Sequence, residues 1–321
     1  MLKKMSIRKI IISTFTLFIL LIIYLIPSND ENEIELKNSG VEYTYSNNLN
    51  PIYLLDSNDY VARTSIKTCA CDGVERAKDL LEGLIIDGKK SNIIPNGFKS
   101  IIPPETQILD LQLQEGTLTI NFSKELLDIN EKYEEKMLEA IIYTLTSIEG
   151  IDNVIIQVEG EPLTKLPQSG KQLPTVLDKS YGINKIYELT STKDITSYTT
   201  YYVSTYNDNY YYVPVTKYIN NENQDKIKVI IEEMSSAPIY ESNLMSFLNV
   251  NTKLLDYEQE DNILKLKFND MILSDITSNN ILEEVIYTIS LSMNDMLGVT
   301  EIIFYADDEE IYTSNIDDLM Q

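Results

Sequence analysis

The feature that most constrains this chain is that it says the same thing twice. Ile141 to Thr146 reads I-I-Y-T-L-T and Val285 to Ser290 reads V-I-Y-T-I-S, an offset of 144 residues. Ile108 to Phe122 aligns with Leu254 to Phe268 at an offset of 146, and Val154-Ile155-Ile156 aligns with Ile302-Ile303-Phe304 at 148. Element lengths persist while the joints between them change, the pattern left by duplicating a domain whose loops tolerate insertion. Two copies at so long a period exclude a solenoid.

Ahead of the copies, Lys3, Lys4, Arg8 and Lys9 precede an apolar run from Ile10 to Ile26. Seventeen residues of helix span about 26 Å, close to the hydrocarbon thickness of a bilayer. No A-x-A-like site follows the run, whose expected role is therefore an uncleaved anchor at 10–26 with the basic flank 1–9 in the cytoplasm. No lipid-acceptor cysteine follows it either. Residues 27–50 are polar and read as a flexible spacer, which puts the bulk of the chain outside a single-pass cell membrane. Lys and Arg number 26 against 50 Asp and Glu, for a net charge of −24. That balance excludes nucleic acid as a partner and favours cationic partners, divalent ions or plain solubility.

Domain one is expected over 51–161. Ile52 to Leu55 and Tyr60 to Ile66 flank a turn at Asp56-Ser57-Asn58-Asp59 and predict a hairpin. Val74, Ala77, Leu81 and Leu84 recur at helical spacing. Leu109, Leu111 and Leu113 alternate with polar residues, turn at Glu115-Gly116, and are answered by Leu118, Ile120 and Phe122, predicting a second hairpin with one face in the core. A helix from about Glu131 to Ile148 follows, with Asp128 and Glu131 at capping-box spacing, then a strand over Asn153 to Val158. Tyr143 and Tyr287 lie beside apolar stripes and are read as anchoring helix to sheet. A Pro- and Gly-marked linker over 162–184 leads to a second copy at 185–312 in the same order, and 313–321 is a tail. The expected fold is α+β: two tandem copies of a small domain, each with two helices packed on a mainly antiparallel sheet, preceded by the transmembrane helix.

The chain has no histidine, which removes the Ser-His-Asp and Cys-His schemes and histidine-containing zinc sites. No GxGxxG, P-loop or GxSxG is present, and no cofactor or metal is expected. A carboxylate pair could hydrolyse a glycan, but no pair is singled out by its context. Two constellations stand out. Cys69 and Cys71 form a C-x-C confined to copy 1, where free thiols, a local or intermolecular disulfide and a redox or metal role stay open. Tyrosines crowd the first hairpin of copy 2, and Tyr201, Tyr202, Tyr206, Tyr210, Tyr211 and Tyr212 are the candidate interaction surface. Such rings suit glycan stacking, a protein interface, or cross-strand pairing within the domain.

These residues carry a resemblance. The I-I-Y-T-L-T helix before a glycine and an apolar strand, the L-Q-L-Q-E-G-T-L-T-I-N-F-S hairpin at Leu111 to Ser123, and Leu80-Leu81-Glu82-Gly83 followed by Ile101-Ile102-Pro103 resemble the GerM-type sporulation and spore-germination domain. In copy 2, Phe247-Leu248-Asn249 stands in place of the Ile-Ile-Pro segment. The resemblance implies a tandem-domain, extracytoplasmic, non-enzymatic protein of sporulation or germination, a structural or interaction module of the spore or cell envelope. It implies an envelope protein or peptidoglycan as partner, with self-association through sheet edges. An anchored ligand- or glycan-binding protein is the alternative, and a carboxylate-dependent wall hydrolase a further one.

Overall fold

The computed structural model describes residues 49–69, 71, 73–220, 225–236, 243–275 and 279–319. The anticipated flank 1–9, the membrane helix 10–26 and nearly all of the spacer 27–50 lie outside the described residues. Among those described, no helix is long and apolar enough to cross a membrane. Asn47–Gln321 form one compact unit.

Copy 1 opens with β1 (Leu49–Asp56) and β2 (Val61–Lys67), paired antiparallel from Leu49↔Lys67 to Leu55↔Val61. The Asp56 carboxylate accepts the N–H groups of Asn58 and Tyr60, each at 2.8 Å, which fixes the turn between them. Helix α1 (Gly73–Leu84) buries Ala77, Leu80, Leu81 and Leu84. Gly83 lets it lie close to the hairpin, since a Cβ there would come within 2.9 Å of Ile66 and 3.0 Å of Ile52. After the short β3 (Phe98–Lys99) come β4 (Ile108–Gln114), β5 (Thr117–Phe122), helix α2 (Glu134–Leu145), β6 (Asn153–Val158) and β7 (Glu161–Pro162). Copy 2 contributes β8 (Ile186–Glu188), β9 (Ile195–Tyr206), β10 (Asn209–Asn220), α3 (Lys226–Ser235), β11 (Leu254–Glu260), β12 (Ile263–Phe268), α4 (Glu283–Leu297), β13 (Glu301–Ala306), β14 (Glu309–Asn315) and the single turn α5 (Ile316–Leu319).

The strands do not form one sheet per copy. The second hairpin of each copy joins the strand after the long helix in a four-stranded sheet, β4-β5-β6-β7 or β11-β12-β13-β14. The first hairpins of both copies enter a single six-stranded sheet, in which β2 meets β10 antiparallel at Arg63↔Tyr212. Inside each four-stranded sheet β5–β6 and β12–β13 run parallel, because α2 and α4 serve as crossover helices. The sheets are therefore mixed. Helix α2 packs on β1 of the shared sheet and on β6 of its own, and every residue from Met137 to Leu145 is buried. Two helices lying on one face of a single sheet is thus corrected to a helix held between two sheets.

Other expectations are corrected at the residue level. Leu109 and Leu113 of β4 are exposed rather than in the core, and the pairing with β5 skips Leu109 in a bulge, as that with β12 skips Leu255. Asp128 and Glu131 make no capping box. Asn130 caps the short 3-10 turn over Glu131–Tyr133 instead, accepting from the Lys132 N–H at 2.9 Å. Strand β14 was not anticipated. The 162–184 segment packs on copy 1, with Leu166, Leu173, Leu177 and Ile183 in its core.

Helix α4 is also equivalent to α2 at a different offset from the one the hexapeptide suggests. The Tyr53 N–H donates to Thr144 Oγ1 and the Tyr201 N–H to Ser292 Oγ, both at 2.9 Å, so strand and helix match at 148 residues. Thr288, paired with Thr144 by the hexapeptide, instead donates to the Glu284 carbonyl at 2.8 Å. Four residues turn a helix by about 400°, so a slip of one turn leaves an apolar stripe nearly unchanged.

Candidate functional site at the junction of the copies

The tyrosine hairpin β9–β10 lies against copy 1. Tyr201 is 1 % exposed, and its hydroxyl meets the hydroxyl of Tyr53, its counterpart in copy 1, at 2.8 Å. Tyr211 is buried, donates to Asp56 Oδ2 at 2.8 Å and packs edge-on against Phe98 at 4.9 Å. Tyr206 covers Gly97, where φ of +94° and a Cβ only 2.5 Å from the ring leave room for glycine alone. The other three candidates turn to copy 2. Tyr202 donates to Glu233 Oε1 at 2.9 Å, Tyr212 stacks on Tyr287 at 5.1 Å, and Tyr210, half exposed, meets Phe247 edge-on. Of the six, Tyr201, Tyr206 and Tyr211 are thus turned into contacts between the copies, and Tyr210 is the one that presents half its surface outward. Tyr143 packs edge-on against Tyr53 at 5.4 Å, so it and Tyr287 each bind a helix to the shared sheet.

At the centre of the junction, Tyr201 donates to Asp295 Oδ2 at 2.7 Å while Lys179 binds the other carboxylate oxygen. Equivalent tyrosines meeting hydroxyl to hydroxyl, beside equivalent strands pairing antiparallel, give the two copies an approximate two-fold relation, an isologous dimer within one chain. Burial, reinforced by the Asp295 charge, pushes the pKa of Tyr201 and Tyr143 well above the ordinary tyrosine value and raises that of Tyr53. Burial alone would lower that of Lys179, but the Asp295 carboxylate and the Tyr53 ring hydroxyl outweigh it and the net shift is upward. Tyr211 is pushed up to about 12 by burial and by the carboxylate it bonds.

Asn184 completes the seam. Its side chain accepts the Val61 N–H at 2.9 Å and donates to the carbonyls of Val61 at 2.8 Å and Pro214 at 2.7 Å, bridging β2 and β10 as a strand would. Behind it the Asn184 N–H donates to Glu139, whose carboxylate faces Lys185 at 3.5 Å, and the Lys185 ammonium lies 3.4 Å above the Tyr181 ring. Burial raises the pKa of Glu139 and lowers that of Lys185 and Lys136 along the same groove, which has a volume of about 550 Å³. Sequence reasoning missed Asn184, Asp295 and Lys179, since a polar residue in a linker or near a helix end carries no pattern. Tyr53 was findable, because it stands 148 residues before Tyr201.

A cleft of about 760 Å³ opens between the C-terminal ends of α2 and α4, lined by Glu149, Asp152, Asp178, Asp295, Arg76 and Lys179 among others. Among the described residues no group of three or more cysteines and carboxylates is placed to hold a metal ion. Cys69 and Cys71 are joined as a disulfide on the connection from β2 to α1, far in sequence from the tyrosine hairpin.

The duplicated architecture has counterparts among known proteins. The family profile described as Germane, sporulation and spore germination, matches residues 51–164 and 199–312, once on each copy and at the 148-residue offset set by the hydrogen bonds of the helices. This chain belongs to the Germane family. The spore germination protein GerM of Bacillus subtilis (strain 168) is 30% identical over 259 residues, covering 78% of this chain and 69% of that protein. The solved structure of the tandem GerMN domains of the sporulation protein GerM from Bacillus subtilis superposes with a TM-score of 0.74 at 28% identity, covering 81% of this chain and 91% of that one. The tandem GerMN-like fold is therefore that of the family.

Proposed function

We propose that this Germane protein serves sporulation or germination as a non-enzymatic interaction module, held to the cell membrane by its N-terminal segment and displayed outside it. The observation that carries the reading is the junction. Hairpin tyrosines of copy 2, together with Asp295 and with Tyr53 and Asp56 of copy 1, join two family domains into one body. Such a body suits repeated docking on an envelope protein or on peptidoglycan better than it suits turnover of a substrate. The acidic charge keeps it off anionic polymers except where a basic partner surface is offered.

Deletion in the native host is the test, with spore yield and germination scored. Loss of either, restored by the full chain but not by one lacking residues 1–26, supports both the role and the anchor. Normal spores that germinate normally would end the proposal. Retention of the purified chain on peptidoglycan, against crosslinking to a single envelope protein, separates the two partner classes.

A further inference from the structure

The cysteine pair is not needed to hold the fold. Copy 2 builds the same elements without any cysteine. With Tyr201 equivalent to Tyr53, their partners Pro214 and Arg63 are equivalent too, which puts Asn220, the last residue of β10, at the place of Cys69. In copy 1 the strand stops at Lys67 instead. The Cα atoms of Cys69 and Cys71 lie 5.2 Å apart. Alternate residues of a strand lie roughly 6.8 Å apart, so the joined pair and an extended strand exclude each other. A crosslink between residues two apart closes so short a loop that it restricts the unfolded chain very little. A bond that contributes little to stability, in one copy only, at a place where it alters the backbone, fits exchange better than stapling.

Its surroundings fit as well. Cys69 is exposed and Cys71 half-buried. The Cys69 N–H donates to Asp79 Oδ2 and Arg76 Nε donates to the Cys71 carbonyl, both at 2.9 Å, which holds the pair against the first turns of α1. The Arg76 guanidinium and the N-terminus of the twelve-residue helix favour a thiolate at this end of α1, while the Asp79 carboxylate opposes one.

We propose that Cys69–Cys71 is a thiol–disulfide exchange site for an external protein dithiol of the thioredoxin-like class. One thiolate of that dithiol attacks the exposed Cys69 Sγ, the Sγ–Sγ bond breaks, and Cys71 leaves as the thiolate. The second thiol of the partner then attacks its own sulfur in the mixed disulfide and releases Cys69. The partner ends as a disulfide, and two electrons and two protons have passed to the cysteine pair. The reverse sequence reoxidises it.

The test uses the full chain in a non-ionic detergent, equilibrated in glutathione buffers of graded composition, quenched in acid and alkylated for intact-mass measurement. Two adducts should appear together and disappear reversibly, with circular dichroism unchanged. Reduced Cys71→Ser should accumulate a stable glutathione adduct at Cys69, while reduced wild type passes on to the disulfide. Cys69→Ser should form its adduct about tenfold more slowly because its remaining sulfur is less exposed. Three results would overturn the proposal: both thiols staying alkylatable in excess oxidised glutathione, a disulfide surviving excess reduced glutathione until the chain unfolds, or disulfide-linked dimers as the main oxidised product.

Discussion

The Tyr201 hydroxyl is held between the Tyr53 hydroxyl and Asp295, and the geometry ranks what its neighbours contribute. Tyr201→Phe keeps the ring and removes one buried hydroxyl, leaving Asp295 its ion pair with Lys179, so the expected loss is about 1–3 kcal/mol. Asp295→Asn leaves the Lys179 ammonium without its carboxylate. Lys179 is 25% exposed and can reach water, so its loss should fall below the 3–5 kcal/mol of a fully buried pair, at about 2–3 kcal/mol. Urea midpoints of the two single variants and the double variant check this, and strict additivity would mean that the groups are not coupled. Glu139 offers a pH-dependent counterpart. Its pKa is raised in the folded state, so its contribution is fully present below the unfolded value near 4.5 and is lost as pH rises through the folded value. Lys185→Met removes the ammonium that opposes this shift and drives it further up. The deficit in Tm against wild type should therefore be larger at pH 7 than at pH 4, and a deficit independent of pH would refute the pairing.

Single elements show how far sequence patterns reach. Strands β5 and β6 and helices α1 and α3 were legible, because alternation and helical spacing report directly on which face is buried. Strand β4 was misread: its leucines alternate as a core strand would, yet the bulge takes Leu109 out of the ladder into solvent, and beyond it Leu111 packs on the core while Leu113, near the end of the strand, is exposed. The α4 match was misread by one turn, since periodicity fixes a face but not a position along the axis. Asn184 carried no signal, although it closes the gap between β2 and β10. Asn184→Ala removes its bonds to Val61 and Pro214 and leaves the Val61 N–H buried, at an expected cost of about 2–4 kcal/mol. A urea midpoint lowered with unchanged slope would show that the seam is native structure. An unchanged midpoint would mean the side chain is dispensable.

At the scale of the whole molecule, duplication was legible but the joining of the copies was not. Each hairpin reads as complete in itself, and nothing in its pattern shows that β2 must find β10 rather than a strand of its own copy. The tyrosines were the visible trace of that joining, since so many on one hairpin exceed what an exposed ribbon needs. Their shared burial also sets a property of the body as a whole. The pKa values of Tyr53, Tyr143 and Tyr201 are raised above the ordinary tyrosine value by burial first and by Asp295 next, and Lys179 is raised by Asp295 against its own burial. The folded state therefore keeps protons that the unfolded chain gives up from about pH 10 upward, so stability is lost as pH rises from there toward the folded values. Each such group steepens the fall by up to about 1.4 kcal/mol per pH unit. Because three of these groups come from copy 1 and its connection while Tyr201 and the carboxylate between them come from copy 2, the alkaline transition should be one cooperative event. Hydrodynamic radius and far-ultraviolet circular dichroism should report the same midpoint, and Tyr53→Phe with Tyr201→Phe should flatten its dependence on pH. Two separate transitions, or a slope that the double variant leaves unchanged, would show that the copies unfold independently and that the junction does not bind them into one body.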